Sequence, residues 1–352
     1  MKQDWKTLAG RRVLLTGHTG FKGAWLALWL DRLGAEVYGF ALPPEGDASL
    51  YEMARVGERL NSTFGDLNDL DAVEAAVAKA RPQIVLHLAA QAIVRRSHVD
   101  PIGTLATNVM GAAHLLQALR RAPDVSTILV VTSDKVYAND EQGAAFAEDA
   151  RLGGKDPYSA SKAAAELVTR AYAQSFFKDT SVKVVTARGG NVIGGGDYAA
   201  DRIVPDIVRA AAKNERPVLR MPHATRPWQH VLDCLHGYLT YVDALERGAS
   251  LPGALNFGPD PTAPITVGEL TEEMLKALGR DARYEHQPLD SREMNVLAVD
   301  SSRARALLGW RDRLPGRLAI NWTAEWYRDA VGGRSPLATT LAQIDAFEKL
   351  PG

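Results

Sequence analysis

Close to the N-terminus a run of strand-forming residues, RVLLT (12–16), breaks into GHTGFKG and passes at once into the helix-forming AWLALWL. The three glycines of this turn are Gly17, Gly20 and Gly23. Glycine lets the backbone turn tightly after a strand and come close to a pyrophosphate. The charge of that group is then met by N–H groups at the start of the following helix. In a strand–turn–helix setting the pattern predicts dinucleotide binding, with Gly17, Thr19, Gly20, Phe21, Lys22 and Gly23 forming the cofactor turn. The alternative is a tight βα turn that holds no ligand. Either way the chain begins as a βαβ unit, which commits it to a parallel sheet.

The first half of the chain keeps to that commitment. Strands are expected at 12–16, 36–40, 62–64, 84–88, 127–132 and 183–187, alternating with helices at 20–33, 69–80, 101–121 and 157–177. The expected fold class is α/β: a Rossmann-type doubly wound parallel sheet with a smaller mixed α/β C-terminal substrate lobe. From Gly194-Gly195-Gly196, read as a flexible joint, the pattern loosens into helices at 200–213, 231–246 and 266–278 among short strands and proline-rich loops. The expected division is a dinucleotide-binding domain over 1–190 and a mainly substrate-binding lobe over 191–352, the chain being free to cross back to the first. A length of 352 residues, 46% hydrophobic and 24% charged, suits two such lobes around a cleft. The net charge of −1, without a basic block, speaks against a nucleic-acid or membrane surface. One cysteine, Cys234, and a start (MKQDWKTLAG) lacking an apolar segment lead us to expect a cytoplasmic protein.

The far end of the cofactor site is less regular. A strand that grips the adenosine ribose of NAD ends in an acidic residue, whereas Phe40 is followed by Ala41-Leu42-Pro43-Pro44. No arginine stands there to meet a 2′-phosphate, so this position leaves NAD and NADP open. Asp66, after the third strand, is a candidate contact for the adenine. It reads equally well as a helix N-cap, as does Asn68.

Two further stretches carry chemistry. In Tyr158-Ser159-Ala160-Ser161-Lys162 the tyrosine and lysine are four apart, so a helix puts them on one face. An ammonium beside a phenol lowers its pKa from roughly 10. Such a tyrosine accepts a proton from a sugar hydroxyl as hydride leaves the carbon. In VVTSDKVY (130–137) a buried strand ends in Ser133, Asp134 and Lys135. Charges after a strand are commonly a solvated turn with a local ion pair. Beside a Tyr/Lys site the same residues are an acid and a base. His18, His87, His230 and Asp233 show no metal-ligand spacing, and no metal is expected.

With these motifs the sequence resembles the extended short-chain dehydrogenase/reductase superfamily nearly end to end. HLAAQ (87–91), TNV (107–109) and RGGNV (188–192) fit it as well. The resemblance implies NAD as cofactor, contacted also by Asp66, Leu67, Leu88, Ala89, Ala90, Asn108, Thr132, Tyr158 and Lys162. It also implies Ser133 as a third catalytic hydroxyl. Within the superfamily the chain looks like the sugar-nucleotide 4,6-dehydratases, where an Asp and a general base follow that hydroxyl. The dTDP-glucose and GDP-mannose branches carry Glu as the base. The CDP-glucose branch carries Lys, and Lys135 stands at that place. GHTGFKGAWLALWL, VRRSHVDP, TSDKVY, GGKDPYSASK, GNVIGGGDYAADRIVPD, RPWQHV, LNFGP and LLGW are similar to the same branch. Two stretches depart from it. The loop between Tyr137 and Gly153 is shorter and less aromatic, and 291–294 (SREM) lacks a regular His-Glu-Ala pattern.

What the resemblance implies is a hydro-lyase of deoxysugar biosynthesis, such as serves lipopolysaccharide O-antigens. It would convert CDP-D-glucose to CDP-4-dehydro-6-deoxy-D-glucose, with Ser133, Asp134, Lys135, Tyr158 and Lys162 as catalytic residues. A dehydratase or 4-epimerase acting on a dTDP-, UDP- or GDP-linked sugar is the alternative, although an epimerase has no use for an acid–base pair at C5 and C6. A non-catalytic NAD-binding regulator has no reason to keep Ser133, Tyr158 and Lys162 together. Candidate substrate contacts are Gln91, Arg96, Ser133, Asn191, Arg202 and Arg226. Their guanidinium forks suit a diphosphate, though each arginine, and Arg95 beside Arg96, also reads as a surface residue. The partners expected are a small-molecule sugar nucleotide and a second copy of the chain, as a homodimer or a tetramer. The superfamily pairs helices like 101–121 and 157–177 across its dimer interface.

Overall fold

The computed structural model describes residues 5–44, 48–140, 143, 145–260, 264–288 and 297–351, and the 291–294 stretch lies outside them. Seven strands form one sheet: β1 (Arg12–Thr16), β2 (Glu36–Ala41), β3 (Asn61–Phe64), β4 (Ile84–His87), β5 (Thr127–Val131), β6 (Lys183–Gly189) and β7 (Ala254–Phe257). Their order is β3-β2-β1-β4-β5-β6-β7, and every pair is parallel. The order reverses between β1 and β4, which opens a crevice at the carboxyl ends of these strands.

Alternate residues on each strand feed opposite faces, as the pleat requires. Val13, Leu15, Leu86, Leu129 and Val131 join the core on one face, while Leu14, Val85, Ile128 and Val130 join a second core on the other. The principal helices are α1 (Phe21–Arg32), α2 (Leu70–Ala80), α3 (Gly111–Leu119), α4 (Pro157–Tyr172), α5 (Ile203–Lys213), α6 (Val231–Glu246), α7 (Val267–Ala277), α8 (Arg317–Val331) and α9 (Pro336–Glu348). The α1 segment is apolar all round because it is covered all round. Gly23 to Leu30 are buried, and the helix packs on the sheet, on α6 and on α9. β7 and α6 come from the second half of the chain, so that half is interleaved with the first along the edge of the sheet. No helix among the described residues is long and apolar enough to cross a membrane.

Two expectations need correction. The helix anticipated over 101–121 is three pieces: Pro101–Leu105, a widened π-type turn at Ala106–Met110, and α3. Such a turn adds one residue per hydrogen-bonded ring and often marks a functional position; here it carries Asn108. Gly194-Gly195-Gly196 is no flexible joint. A Cβ on Gly195 would lie 1.9 Å from the Trp326 ring, and one on Gly194 would lie 2.6 Å from Val231. Trp25 Nε1 donates to the Gly195 carbonyl at 2.9 Å. Glycine is present there because large side chains from three helices fill the space.

Candidate active site

Gly17 has φ +78°, and a Cβ on it would sit 2.7 Å from the Ala89 nitrogen; at Gly23 it would sit 2.0 Å from the Gly17 carbonyl. Packing of the turn itself demands both glycines. At Gly20 a Cβ would meet, among the described residues, only the Gly17 carbonyl at an ordinary 3.4 Å, so none of them requires glycine there. A ligand approaching that backbone would. α1 starts with neither a side-chain cap nor an acidic residue in its first turn, leaving its positive end to an anion. These residues fit a dinucleotide pyrophosphate: Gly20 would let it approach and the N–H groups opening α1 at Phe21, Lys22 and Gly23 would meet its charge, whereas those of Gly17 and Gly20 are spent on the Phe40 and Gly17 carbonyls.

Around the cradle, Thr19 Oγ1 donates to the Leu42 carbonyl at 3.0 Å and ties the turn to the end of β2. Leu88 N–H donates to the Thr16 carbonyl, and Ala89 N–H to Thr16 Oγ1, both at 3.2 Å, which lays Leu88-Ala89-Ala90 beside the turn. His18 packs its ring against Gly39 and shares a 2.7 Å hydrogen bond with Ser62 Oγ. Burial pulls its pKa down to about 4, so it is a neutral packing residue. Asp66 accepts hydrogen bonds from the N–H and Nδ2 of Asn68, but neither residue caps α2. Asp69 does, accepting from Ala72 N–H at 3.1 Å, and Asp66 is thereby left free of that duty.

Asn108 and Gln91 hold the β4 loop together. Asn108 Oδ1 accepts from Gln91 N–H at 2.8 Å, and its Nδ2 donates to the Gln91 carbonyl at 3.0 Å and to Ser161 Oγ at 2.8 Å. Gln91 spends its amide on Thr104 and on Ile93 N–H. Both side chains serve the scaffold that joins β4 to α4.

The residues singled out for chemistry converge at the end of β5. Ser133, Asp134, Tyr158 and Lys162 are all buried, and Lys135 is partly exposed at the cleft. Ser133 is hydrogen-bonded to Tyr158, and its Oγ donates to Asp134 Oδ1 at 3.0 Å. Lys135 Nζ lies 3.6 Å from the same carboxylate oxygen. Asp134 Oδ2 and Asn191 Oδ1 are buried acceptors that receive no hydrogen bond from the described residues. Buried acceptors of this kind are costly unless a partner completes them, and hydroxyls of a bound sugar are suitable partners.

The electrostatics correct one expectation. Tyr158 is pushed up to about 12, chiefly by burial, with the Ser133 hydrogen bond and the Arg202 charge working against that rise. Lys162 does not reverse it, because its Nζ is turned to the Val131 carbonyl at 3.0 Å. Lys162 itself is lowered to about 7 by burial and then by the Lys22 ammonium, while Glu166 opposes the shift. Lys22 faces inward, its Nζ 5.9 Å from the centre of the Tyr238 ring.

The candidate phosphate clamps are placed unequally. Arg202, at the N-cap of α5, reaches toward Tyr158 and is paired with Asp197 at 2.9 Å. Arg95 is paired with Asp201, which Arg220 also approaches at 3.6 Å. Arg226 donates to the Thr225 carbonyl beside a cavity of about 380 Å³ lined by Arg220, Thr225 and His286 among others. Arg96 lies in the short helix Val94–Val99, whose Ser97 Oγ accepts the Tyr158 N–H at 3.2 Å.

Three residues of the site region were not singled out by sequence. Glu166 and Arg188 form a buried two-pronged ion pair, at 3.0 Å and 2.8 Å, and Arg188 Nη1 donates to Tyr137 OH at 2.8 Å. Only the spacing of Glu166, four residues beyond Lys162 on one helix face, signals any of this in the sequence.

A buried serine, tyrosine and lysine at the end of a dinucleotide-binding sheet are the equipment of the short-chain dehydrogenase/reductase class. Within that class the chain belongs to the NAD dependent epimerase/dehydratase family, whose model matches residues 13–258, and NAD is its cofactor. It is 38% identical to CDP-glucose 4,6-dehydratase of Salmonella typhimurium, over 96% of each chain. Among solved structures it is similar to dTDP-glucose 4,6-dehydratase of Streptomyces venezuelae with NAD bound, with a TM-score of 0.77, 25% identity, and 92% of this chain and 99% of that one covered. UDP-glucose 4-epimerase of Thermus thermophilus in complex with NAD is also similar, with a TM-score of 0.77, 27% identity, and 90% and 99% covered.

Proposed function

We propose that this chain acts as a CDP-glucose 4,6-dehydratase, converting CDP-D-glucose to CDP-4-dehydro-6-deoxy-D-glucose. The observation that carries the reading is the Asp134–Lys135 pair beside the Ser133–Tyr158 hydrogen bond, in a chain similar over nearly its whole length to a protein of that name. NAD, when bound, accepts the hydride from C4 and gives it back at C6, so the reaction has no net redox change.

The chain's own residues account for the proton movements. Tyr158 takes the proton of the C4 hydroxyl while Ser133 holds that oxygen. The Ser133 hydrogen bond and the Arg202 charge favour the phenolate against the effect of burial. The ketone at C4 acidifies the C5 proton. Lys135 removes it, Asp134 gives a proton to the C6 hydroxyl, and water leaves to form a C5–C6 double bond. Lys135 then returns a proton to C5 as C6 is reduced. The proton left on Tyr158 and the one lost by Asp134 re-equilibrate with solvent. Arg202 and Arg226, with Arg96, are the side chains proposed for the diphosphate, and Asn191 for a sugar hydroxyl.

The competing reading is a 4-epimerase or a dehydratase of another nucleotide sugar. An epimerase would leave Asp134 and Lys135 without a task. Incubation with CDP-, dTDP-, UDP- and GDP-glucose in the presence of NAD⁺, followed by the alkaline absorbance of a 4-ketosugar, decides among them. Ketosugar from CDP-glucose above the others is expected; a 4-epimer without ketosugar would refute the reading. The same reading makes the enzyme a cytoplasmic homodimer. Val99 and Ile102 are 86% and 74% exposed, and Leu105, Met110 and Leu167 continue an apolar surface on helices 94–110 and α4.

A further inference from the structure

Ser133, Asp134 and Lys135 lie in a short turn that leaves the sheet, and the structure holds that turn at both ends through one buried ion pair. On the near side, Thr132 Oγ1 donates to Glu166 Oε1. On the far side, Tyr137 OH accepts from Arg188 Nη1 at 2.8 Å and donates to Asn256 Oδ1 at 2.7 Å. Glu166 and Arg188 join the two ends, each only 4% exposed. The Tyr137 ring is buried and stacks on Phe146, with centres 5.0 Å apart and planes at 10°. The segment is also pinned by its backbone, Gly153 N–H donating to the Val136 carbonyl and Ala138 N–H to that of Arg151.

The two ends differ in what they are attached to. Glu166 shares α4 with Tyr158 and Lys162, so the near end moves with the oxidation machinery. Tyr137 is tied through Arg188 to the same ion pair and packs with Ala163 of α4, but it is also tied to Asn256 on β7, which donates to the carbonyls of Phe146 and Asp300 and, through its N–H, to Glu148. Among the described residues, Asn256, Phe146, Asp300 and Glu148 make no hydrogen bond to Tyr158 or Lys162. Loss of the Asn256 bridge would therefore bear first on the far end of the turn, nearest Lys135 and Asp134, and least on Ser133, which is held to Tyr158.

We propose that Tyr137 is a positioning residue for the elimination step: its hydroxyl, bridging Arg188 and Asn256, fixes where Asp134 and Lys135 stand relative to C5 and C6 of the sugar. The inference rests on the dehydratase reading above and adds to it a residue whose loss bears on elimination more than on oxidation. Tyr137→Phe keeps the ring and its stack on Phe146 and removes only the bridge. Misplacing a reacting group by a fraction of an ångström to an ångström slows its step by roughly tenfold to a hundredfold.

The test follows turnover of CDP-glucose by the NAD-loaded enzyme, the absorbance of reduced nicotinamide during turnover, and the isotope effect of C5-deuterated substrate. Tyr137→Phe is expected to slow ketosugar formation, accumulate reduced nicotinamide and enlarge the isotope effect, because removal of the C5 proton becomes limiting. A merely structural role would lower all steps together. Unchanged turnover, or slower turnover with neither accumulation nor a larger isotope effect, would overturn the proposal. Phe146→Leu loosens the stack without stranding a polar group. If Tyr137→Phe does not fold, Phe146→Leu must show the same partition or the proposal fails. Wild-type enzyme that makes no ketosugar overturns the dehydratase reading itself, and that control separates the two failures.

Discussion

Lys162 carries its charge where water scarcely reaches it. Burial and the Lys22 ammonium bring its pKa from 10.5 down to about 7. In that interval the unfolded chain binds a proton that the folded chain does not, so stability rises with pH across the window. The destabilising contribution of Lys162 is complete below the folded value and gone above the unfolded one. We expect the denaturation midpoint of wild type, measured relative to Lys162→Met, to rise from about pH 7 to about pH 9. A difference that stays flat or falls would contradict the assignment. That Asp134, Lys135, Tyr158 and Lys162 would lie together was legible from strand-end position and four-residue spacing, which are local signals, while Ser133 was singled out by the family resemblance. Arg188, Tyr137 and the true surroundings of Lys162 were not legible. The Glu166–Arg188 pair joins a helix to a strand, and only the closed sheet brings its members together.

Among the elements, α4 orders the site. Pro157 is its first residue, and the Asp156 side chain caps it by accepting from Ser159 N–H at 2.9 Å. Tyr158, Lys162 and Glu166 then follow at intervals of one turn. Loss of a cap of this kind costs about 1 kcal/mol, and Asn replaces Asp there at little cost. Asp156→Ala should therefore lower the stability measured in urea by about that amount, with Asp156→Asn near wild type. Equal loss in both variants would show that the carboxylate acts by charge and not as a cap. Strand and helix order was readable because apolar periodicity reports it directly. The π-type turns at Ala106–Met110 and Ala173–Phe177 were not, since one extra residue per turn barely disturbs that periodicity. The glycine triplet misled for a related reason: composition shows that a side chain is missing, whereas only packing shows what occupies its place.

The whole molecule hides more neutral histidine than acidic hydrogen-bond networks offset. His18 is lowered to about 4, and His87, His230 and His236 to about 3, in each case chiefly by burial. On unfolding each gains a proton below its ordinary value of 6.5, so their contribution to stability is lost as pH falls. Asp233 and Asp312, raised to about 7 and about 6, act in the opposite sense over part of the range. Four groups outweigh two, and the urea midpoint should drop between about pH 6.5 and about pH 4.5; a rise would contradict this. The overall reaction is likewise a property of the assembled chain, since α4, β5 and the cofactor turn must all act on one sugar. In the reaction proposed, Lys135 removes the C5 proton after Tyr158 has served oxidation at C4. The direct measurement uses Lys135→Met with CDP-glucose deuterated at C5, following reduced nicotinamide and deuterium together. Reduced nicotinamide is expected to form and persist, deuterium to stay on C5, and no ketosugar to appear. Release of deuterium into solvent and ketosugar at the wild-type rate would contradict it.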